Sequence, residues 1–237
     1  MGNNDIDNVR STKRFSHFSL HNFLANFRHI SSNMLEAFLR CVTSFLMHLS
    51  YRIRKNRLHN IPAKGPALLV CNHVSFVDAL LISASVRRPV RFVMDHKIFD
   101  APILGLLFRA AKVIPIARAR ENPQILQQAF CRITSELKAG NLVCIFPEGQ
   151  ITRDGNLNPF REGFVKIVQS FPVCVIPMGL RGMWGSFFSR KYGSAMHSLP
   201  RRFRSHVELC AGKPIPPEKV NVCSTQAVVE KLLQNSY

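Results

Sequence analysis

The sequence predicts an α/β domain, a mostly parallel central sheet flanked by helices, preceded by an N-terminal amphipathic helical segment. From residue 62 onward, short β-rich runs alternate with helical segments, the alternation that builds parallel sheets. Proline or glycine marks many of the joins, at Pro89, Pro102, Pro123, Gly140, Pro147 and Pro172, near element ends rather than in the middle of the strongest runs. Before residue 60 the pattern differs, because apolar residues there recur at steps of three and four. Residues 1–60 are therefore read as a helical membrane-docking segment and 61–237 as the α/β domain.

Phe15, Phe18, Leu20, Phe23, Leu24, Phe27 and Ile30 mark a first amphipathic stretch over 15–30. Leu35, Phe38, Leu39, Val42, Phe45, Leu46 and Leu49 then form one broad apolar stripe within 34–55, the spacing of a helix. Glu36, Arg40 and His48 interrupt it, so it falls short of the roughly 18 uncharged residues of a membrane span and is read as lying in the interface. Arg52, Arg54, Lys55 and Arg57 follow, suited to anionic lipid head groups. Strands are expected at 67–71, 90–94, 113–116, 142–146, 173–177 and 207–210. Helices are expected near 78–86, 101–110, 123–139, 162–170 and 225–235, the last capped around Ser224 or Thr225.

At 237 residues and 46% hydrophobic content the chain has enough apolar mass for one sizeable core, which excludes a mainly disordered basic tail. Lys plus Arg outnumber Asp plus Glu by 32 to 14, a formal charge of +18 that implies an anionic partner. Nucleic acid, an acidic carrier protein and a phosphate-bearing membrane surface all meet that requirement. No helix-turn-helix, zinc-finger or RNA-binding pattern accompanies the charge. Residues 1–33 lack the compact apolar core and cleavage site of a secretory signal. The seven cysteines are odd in number and lack a CxxC pair, so they read as reduced core thiols in a cytosolic setting, and no metal site is expected.

Two constellations carry chemistry. The first, Asn72-His73-Val74-Ser75-Phe76-Val77-Asp78, lies where the apolar run PALLVC empties into a helix, a favoured place for a site. On a continuous helix five steps of about 100° would set His73 and Asp78 about 140° apart, so a turn is required for the two to meet. Folded back, Asp78 accepts from Nδ1 and leaves Nε2 as a general base. The second, Phe146-Pro147-Glu148-Gly149, ends the run LVCIF and opens at a strand's C-terminal edge too, with Glu148 as a fixed acceptor for a substrate hydroxyl or a nearby Arg and Gly149 permitting close approach. Between them Lys112 to Arg120 forms a short strand that delivers Arg118 and Arg120 to its end, residues suited to phosphate. Cys71 is read as core, Asp95-His96 as a loop pair, and Trp184 as core or as part of an aromatic patch at a lipid interface.

Together these residues resemble the glycerolipid acyltransferases, the family that includes 1-acylglycerol-3-phosphate acyltransferase. Asn72-His73 with Asp78 resembles the family's NHxxxxD block, Lys112 to Arg118 its second block, Phe146 to Gly149 its FPEG block and Val175-Ile176-Pro177 its fourth. The stretch from Phe92 to Arg190 is especially similar to the acyltransferase domains that some bacteria fuse to lysophospholipid transporters. The resemblance implies direct acyl transfer, with His73 as base and Asp78 orienting it. It further implies that Asn72, Lys112, Arg118, Glu148 and Gly149 bind or shape the acceptor site, with Arg153 displaced by one position from the family's arginine. It implies acyl-CoA or acyl carrier protein as the thioester co-substrate with no cofactor and no metal. The acceptor would be a lysophospholipid, most directly 1-acylglycerol 3-phosphate giving phosphatidate, with lysophosphatidylethanolamine or a lyso-ornithine lipid as alternatives. The expected location is the cytoplasmic face of a membrane, peripheral or monotopic, on an anionic surface. A basic nucleic-acid-binding module and a catalytically silent membrane adaptor are the readings outside the enzyme class.

Overall fold

The run ALLVC of β2 (Ala67–Cys71) leaves no side chain exposed, as a strand covered on both faces requires, and it sits at the centre of a seven-stranded sheet. The structure is a computed structural model that describes residues 34–99, 102–186, 188, 189, 191 and 204–234. The amphipathic stretch expected over 15–30 lies outside the described residues, as do Phe187 and Arg190. The other strands are β1 (Tyr51–Asn56), β3 (Val90–Asp95), β4 (Ile114–Ile116), β5 (Leu142–Ile145), β6 (Val175–Arg181) and β7 (Ser205–Ala211). Their order is β1-β7-β6-β2-β5-β3-β4. Strands β6, β2, β5, β3 and β4 run parallel; β7 is antiparallel to β6, and β1 is parallel to β7.

The chain divides into two compact units, Met1–Leu39 and Arg40–Tyr237. Residues 34–50 are helical (α1). Within the second unit, Met47 and Tyr51 join the core, and the Arg40 guanidinium donates to Val86 O and Arg87 O, the carbonyls just beyond α2 (Asp78–Ser85). Among the described residues no helix is long and apolar enough to cross a membrane. The expected boundary at residue 60 is corrected, because β1 belongs to the sheet of the second unit. Its YRIRKN alternates a buried Tyr51 and a half-buried Ile53 with exposed Arg52, Arg54 and Lys55, an edge strand disguised by its charges.

Helices α3 (His96–Phe99) and α4 (Pro102–Ala110) link β3 to β4, α5 (Pro123–Lys138) links β4 to β5, α6 (Gly163–Ser170) links β5 to β6, and α7 (Val222–Gln234) closes the chain. Both β2-to-β3 and β3-to-β4 connections advance toward the β4 edge, so right-handed crossovers set α2 and α4 over one face. The connections through α5 and α6 return, over the other. Two apolar clusters follow, one joining α2 and Met47 of α1 to the sheet, the other joining Ala129 and Ile133 of α5, Phe164 of α6 and Val229 of α7. α5 begins where expected because Asn122 caps it, accepting from Ile125 N at 3.0 Å ahead of Pro123. Of the cysteines, Cys71, Cys144 and Cys210 are buried in strands, whereas Cys41, Cys131, Cys174 and Cys223 are exposed rather than core.

Candidate active site

Register alone brings the two constellations together. Val70 pairs with Ile145 across β2 and β5, so three residues further along each chain His73 comes opposite Glu148, at the edge where both strands end. The turn required after β2 is present: α2 begins only at Asp78, and Asp78 N donates back to Ser75 O at 3.3 Å. Asp78 is fully buried, and its Oδ2 accepts from His73 Nδ1 at 2.9 Å, from Val74 N at 2.6 Å and from Ser75 N at 2.8 Å. The carboxylate can only accept, so Nδ1 carries the ring proton and Nε2 presents its lone pair. The His73 side chain keeps 21% of its surface open. Phe146 stacks on the ring at 4.2 Å between centroids and 17° between planes, fixing its orientation.

The expected roles of three residues change. Asn72 is buried, and both ends of its amide pair with the backbone of β6, Oδ1 accepting from Leu180 N at 2.7 Å and Nδ2 donating to Leu180 O at 3.0 Å. It adds one side-chain rung between β2 and β6 where the ladder ends, and its hydrogen-bonding groups are committed to the scaffold rather than to an acceptor. Glu148 is buried as well, with Oε1 accepting from His73 N at 2.6 Å and Oε2 from Asn158 N and Asn158 Nδ2, each at 2.8 Å. It ties the two constellations together instead of facing a substrate hydroxyl. Burial raises its carboxyl above the usual carboxylate range, against the pull of those donors. Lys112 ends α4 in a left-handed turn, on the entry side of β4, and so is separated from the site edge by the length of the strand.

Arg118 emerges at the exit of β4 and is exposed. Its strand lies three positions from β2 in the sheet order, about 14 Å at the usual strand spacing. Gly149 takes a left-handed φ of 64°, and its N donates to Phe146 O at 3.0 Å. Arg153 is exposed one residue beyond Thr152, whose N donates to His73 O at 3.0 Å. Cys71 is excluded as a nucleophile: it is fully buried, and burial together with nearby Asp78 and Glu148 pushes its thiol far above the ordinary range. Asp95 caps α3, accepting from Lys97 N at 3.0 Å, and Trp184 packs on Gly155, where an added Cβ would lie 2.7 Å from the indole Nε1.

Two neighbours of the site carry no short-range pattern in the sequence. Asn158 is one; Arg161 is the other, its N donating to Pro147 O at 3.0 Å while its guanidinium lies over Gly149, 3.1 Å from where a Cβ would stand. Phe160 between them donates its N to Gln226 Oε1 of α7 at 2.9 Å. The segment 158–161 is thus pinned to the catalytic edge by long-range bonds, which periodicity and composition do not register.

The chain resembles known proteins in this region. The family model Acyltransferase matches residues 52–181, more than half of the chain, from β1 to the end of β6. The chloroplastic 1-acyl-sn-glycerol-3-phosphate acyltransferase LPAT1 of Arabidopsis thaliana is 29% identical over 75% of this chain and 47% of its own length. A probable 1-acyl-sn-glycerol-3-phosphate acyltransferase of Mycoplasma pneumoniae is 23% identical over 81% of this chain and 73% of its own. The chain spans less than half the length of the first plant relatives it matches. In fold it resembles the crystal structure of the 1-acyl-sn-glycerophosphate acyltransferase PlsC from Thermotoga maritima, with a TM-score of 0.60 and 20% identity over 84% of this chain and 77% of that one. With the His73 and Asp78 turn and the Glu148 loop both inside the matched region, the chain belongs to the Acyltransferase family.

Proposed function

We propose that the protein transfers an acyl group from a thioester, acyl-CoA or acyl carrier protein, to the free hydroxyl of 1-acylglycerol 3-phosphate, giving phosphatidate. The observation that carries this reading is the oriented His73 and Asp78 pair, with Nδ1 held at 2.9 Å by a buried carboxylate and Nε2 left for the acceptor. The names of the plant and Mycoplasma relatives support the choice of acceptor.

In the proposed reaction the acceptor hydroxyl gives its proton to His73 Nε2 as its oxygen bonds to the thioester carbonyl carbon. The tetrahedral oxyanion then collapses, the carbon–sulfur bond breaks, and the imidazolium returns the proton to the departing thiolate. Asp78 holds the tautomer and offsets the transient imidazolium charge. A thioester is already electrophilic, so proton transfer and positioning are what this chain must supply; the thioester is a co-substrate and no further cofactor or metal enters the scheme. Arg118, exposed at the exit of β4 about 14 Å across the sheet from β2, and Arg153, exposed one residue beyond Thr152, are the cations proposed to hold the acceptor's phosphate, with Arg118 suited to bidentate contact. Gly149 shapes the edge through its left-handed turn.

The acceptor is a lipid, and docking on an anionic membrane is part of the same proposal. In the second unit, Val42, Phe45, Leu46 and Leu49 of α1 are exposed, followed by the basic β1. Purified protein offered oleoyl-CoA and oleoyl carrier protein against lysophosphatidate, lysophosphatidylethanolamine and a lyso-ornithine lipid, with products read by mass spectrometry, tests the reading. Phosphatidate as the dominant product supports it. A dominant product from another acceptor moves the assignment to that head group, and duplex DNA binding without any acyl product supports the nucleic-acid alternative.

A further inference from the structure

His73 is constrained at three places: Asp78 at Nδ1, Phe146 on the ring face, and Glu148 at its backbone N–H. The third constraint depends on Glu148 keeping Oε1 in place, and Glu148 is buried in surroundings that disfavour its charge. Two residues oppose that burial, His73 through its own N–H and Asn158, ten positions downstream, with two donors. Asn158 donates twice to Oε2, from its backbone N and from Nδ2, both at 2.8 Å. Asn158 is itself fixed, with Oδ1 facing Gln150 Nε2 at 3.5 Å and the following Phe160 and Arg161 bonded to Gln226 and Pro147.

We propose that Asn158 is a positioning residue for acyl transfer, acting on His73 through Glu148. The inference rests on His73 being the base of the proposed reaction. With both donors on Oε2, the carboxylate cannot rotate away, and Oε1 stays on the His73 amide at 2.6 Å. If Glu148 took up a proton, that hydrogen would face one of three N–H donors, and the link to His73 would weaken. The charged and titratable groups around Glu148 are His73 and Cys71 from the end of β2, Asp78 from α2 and Arg161 over Gly149. Removing Nδ2 takes away one donor that favours the ionised form, so Glu148 would hold its proton to higher pH.

The test compares wild type, Asn158→Ala, Asn158→Asp and His73→Ala, each checked for thermal unfolding. In protein labelled with 15N-histidine, the His73 amide resonance is identified by its loss in His73→Ala and followed with pH. Its midpoint is expected to move to higher pH in Asn158→Ala, and further in Asn158→Asp, where a second carboxylate faces Glu148. The acid limb of kcat, measured with oleoyl-CoA and lysophosphatidate, is expected to move the same way. At neutral pH kcat is expected to fall roughly tenfold or more, within the ~10²–10⁴ that a positioned general base supplies, with KM little changed. An unmoved midpoint, or a moved midpoint with wild-type kcat, overturns the proposal. Full activity in His73→Ala instead overturns the base assignment on which it rests, which the amide titration reports separately.

Discussion

The residues that surround His73 differ in what their loss should do. Asp78 combines orientation with a structural duty, since Oδ2 accepts from two backbone N–H groups as well as from the imidazole. Asp78→Asn is expected to lower kcat by about 10²–10⁴ by offering the ring a donor or the wrong tautomer, and to cost about 1–3 kcal/mol of stability. Parallel kinetics and thermal unfolding check both, and activity within threefold of wild type would contradict it. Glu148→Gln sets an NH₂ group against at least one of the N–H donors of His73 and Asn158 and is expected to cost about 1–3 kcal/mol, read by urea unfolding. The pH dependence has a definite sign. Because the native state holds the Glu148 proton to higher pH than the unfolded chain, this group subtracts stability as pH rises from the ordinary carboxylate range through its raised value, and the loss is complete above it. Arg118→Ala is expected to raise KM for a phosphorylated acceptor more than for monoacylglycerol, and equal effects on the two would remove it from the acceptor site.

At the scale of elements, the joins are where substitutions should be most costly. Gly182 follows β6 with φ of 82°, and an added Cβ would lie 2.2 Å from His206 O of β7. Gly182→Ala is therefore expected to destabilise by about 2–4 kcal/mol, since backbone must move as well as adopt a strained φ, and an unfolding midpoint within 2 °C of wild type, roughly 0.5–1 kcal/mol for a chain of this size, would contradict that. Elements with a strong local pattern were legible in the sequence: β2 and β5 are unbroken apolar runs, and α5 carries its own cap in Asn122 and Pro123. The turn from His73 to Asp78 was legible because helical geometry forbids the alternative. β1 was not, because a parallel edge strand with Arg52, Arg54 and Lys55 outward reads as a basic cluster until its partner β7 is known. Asn72 and Glu148 were visible as site residues, but their partners lie 108 and 10 residues away, so their scaffold roles were hidden. Asn158 and Arg161 were missed for the same reason.

Among the described residues of the second unit, exposed large apolar side chains lie on α1 to α4 and in the turn before α2. Val42, Phe45, Leu46 and Leu49 of α1, Phe76 of the turn before α2, Leu80 of α2, Ile98 of α3 and Leu106 and Leu107 of α4 are exposed, and α5, α6 and α7 contribute none among the described residues. Docking on an anionic membrane, as proposed above, would bring this apolar surface and the chain's net charge of +18 to the same interface. Phe45→Ser combined with Leu46→Ser is expected to cut flotation with vesicles containing phosphatidylglycerol at least tenfold, from the ~1.5–3 kcal/mol that each buried apolar side chain contributes. Turnover of a short-chain soluble acceptor is expected to stay unchanged, and undiminished flotation would place the membrane contact elsewhere.

The central claim is that His73 moves the proton. Single-turnover transfer from radiolabelled oleoyl-CoA to lysophosphatidate, compared between wild type and a folded His73→Gln variant, tests it most directly. A fall of at least about 10²-fold in the transfer rate at unchanged donor binding is the predicted result. Equal transfer rates in the two proteins would contradict it.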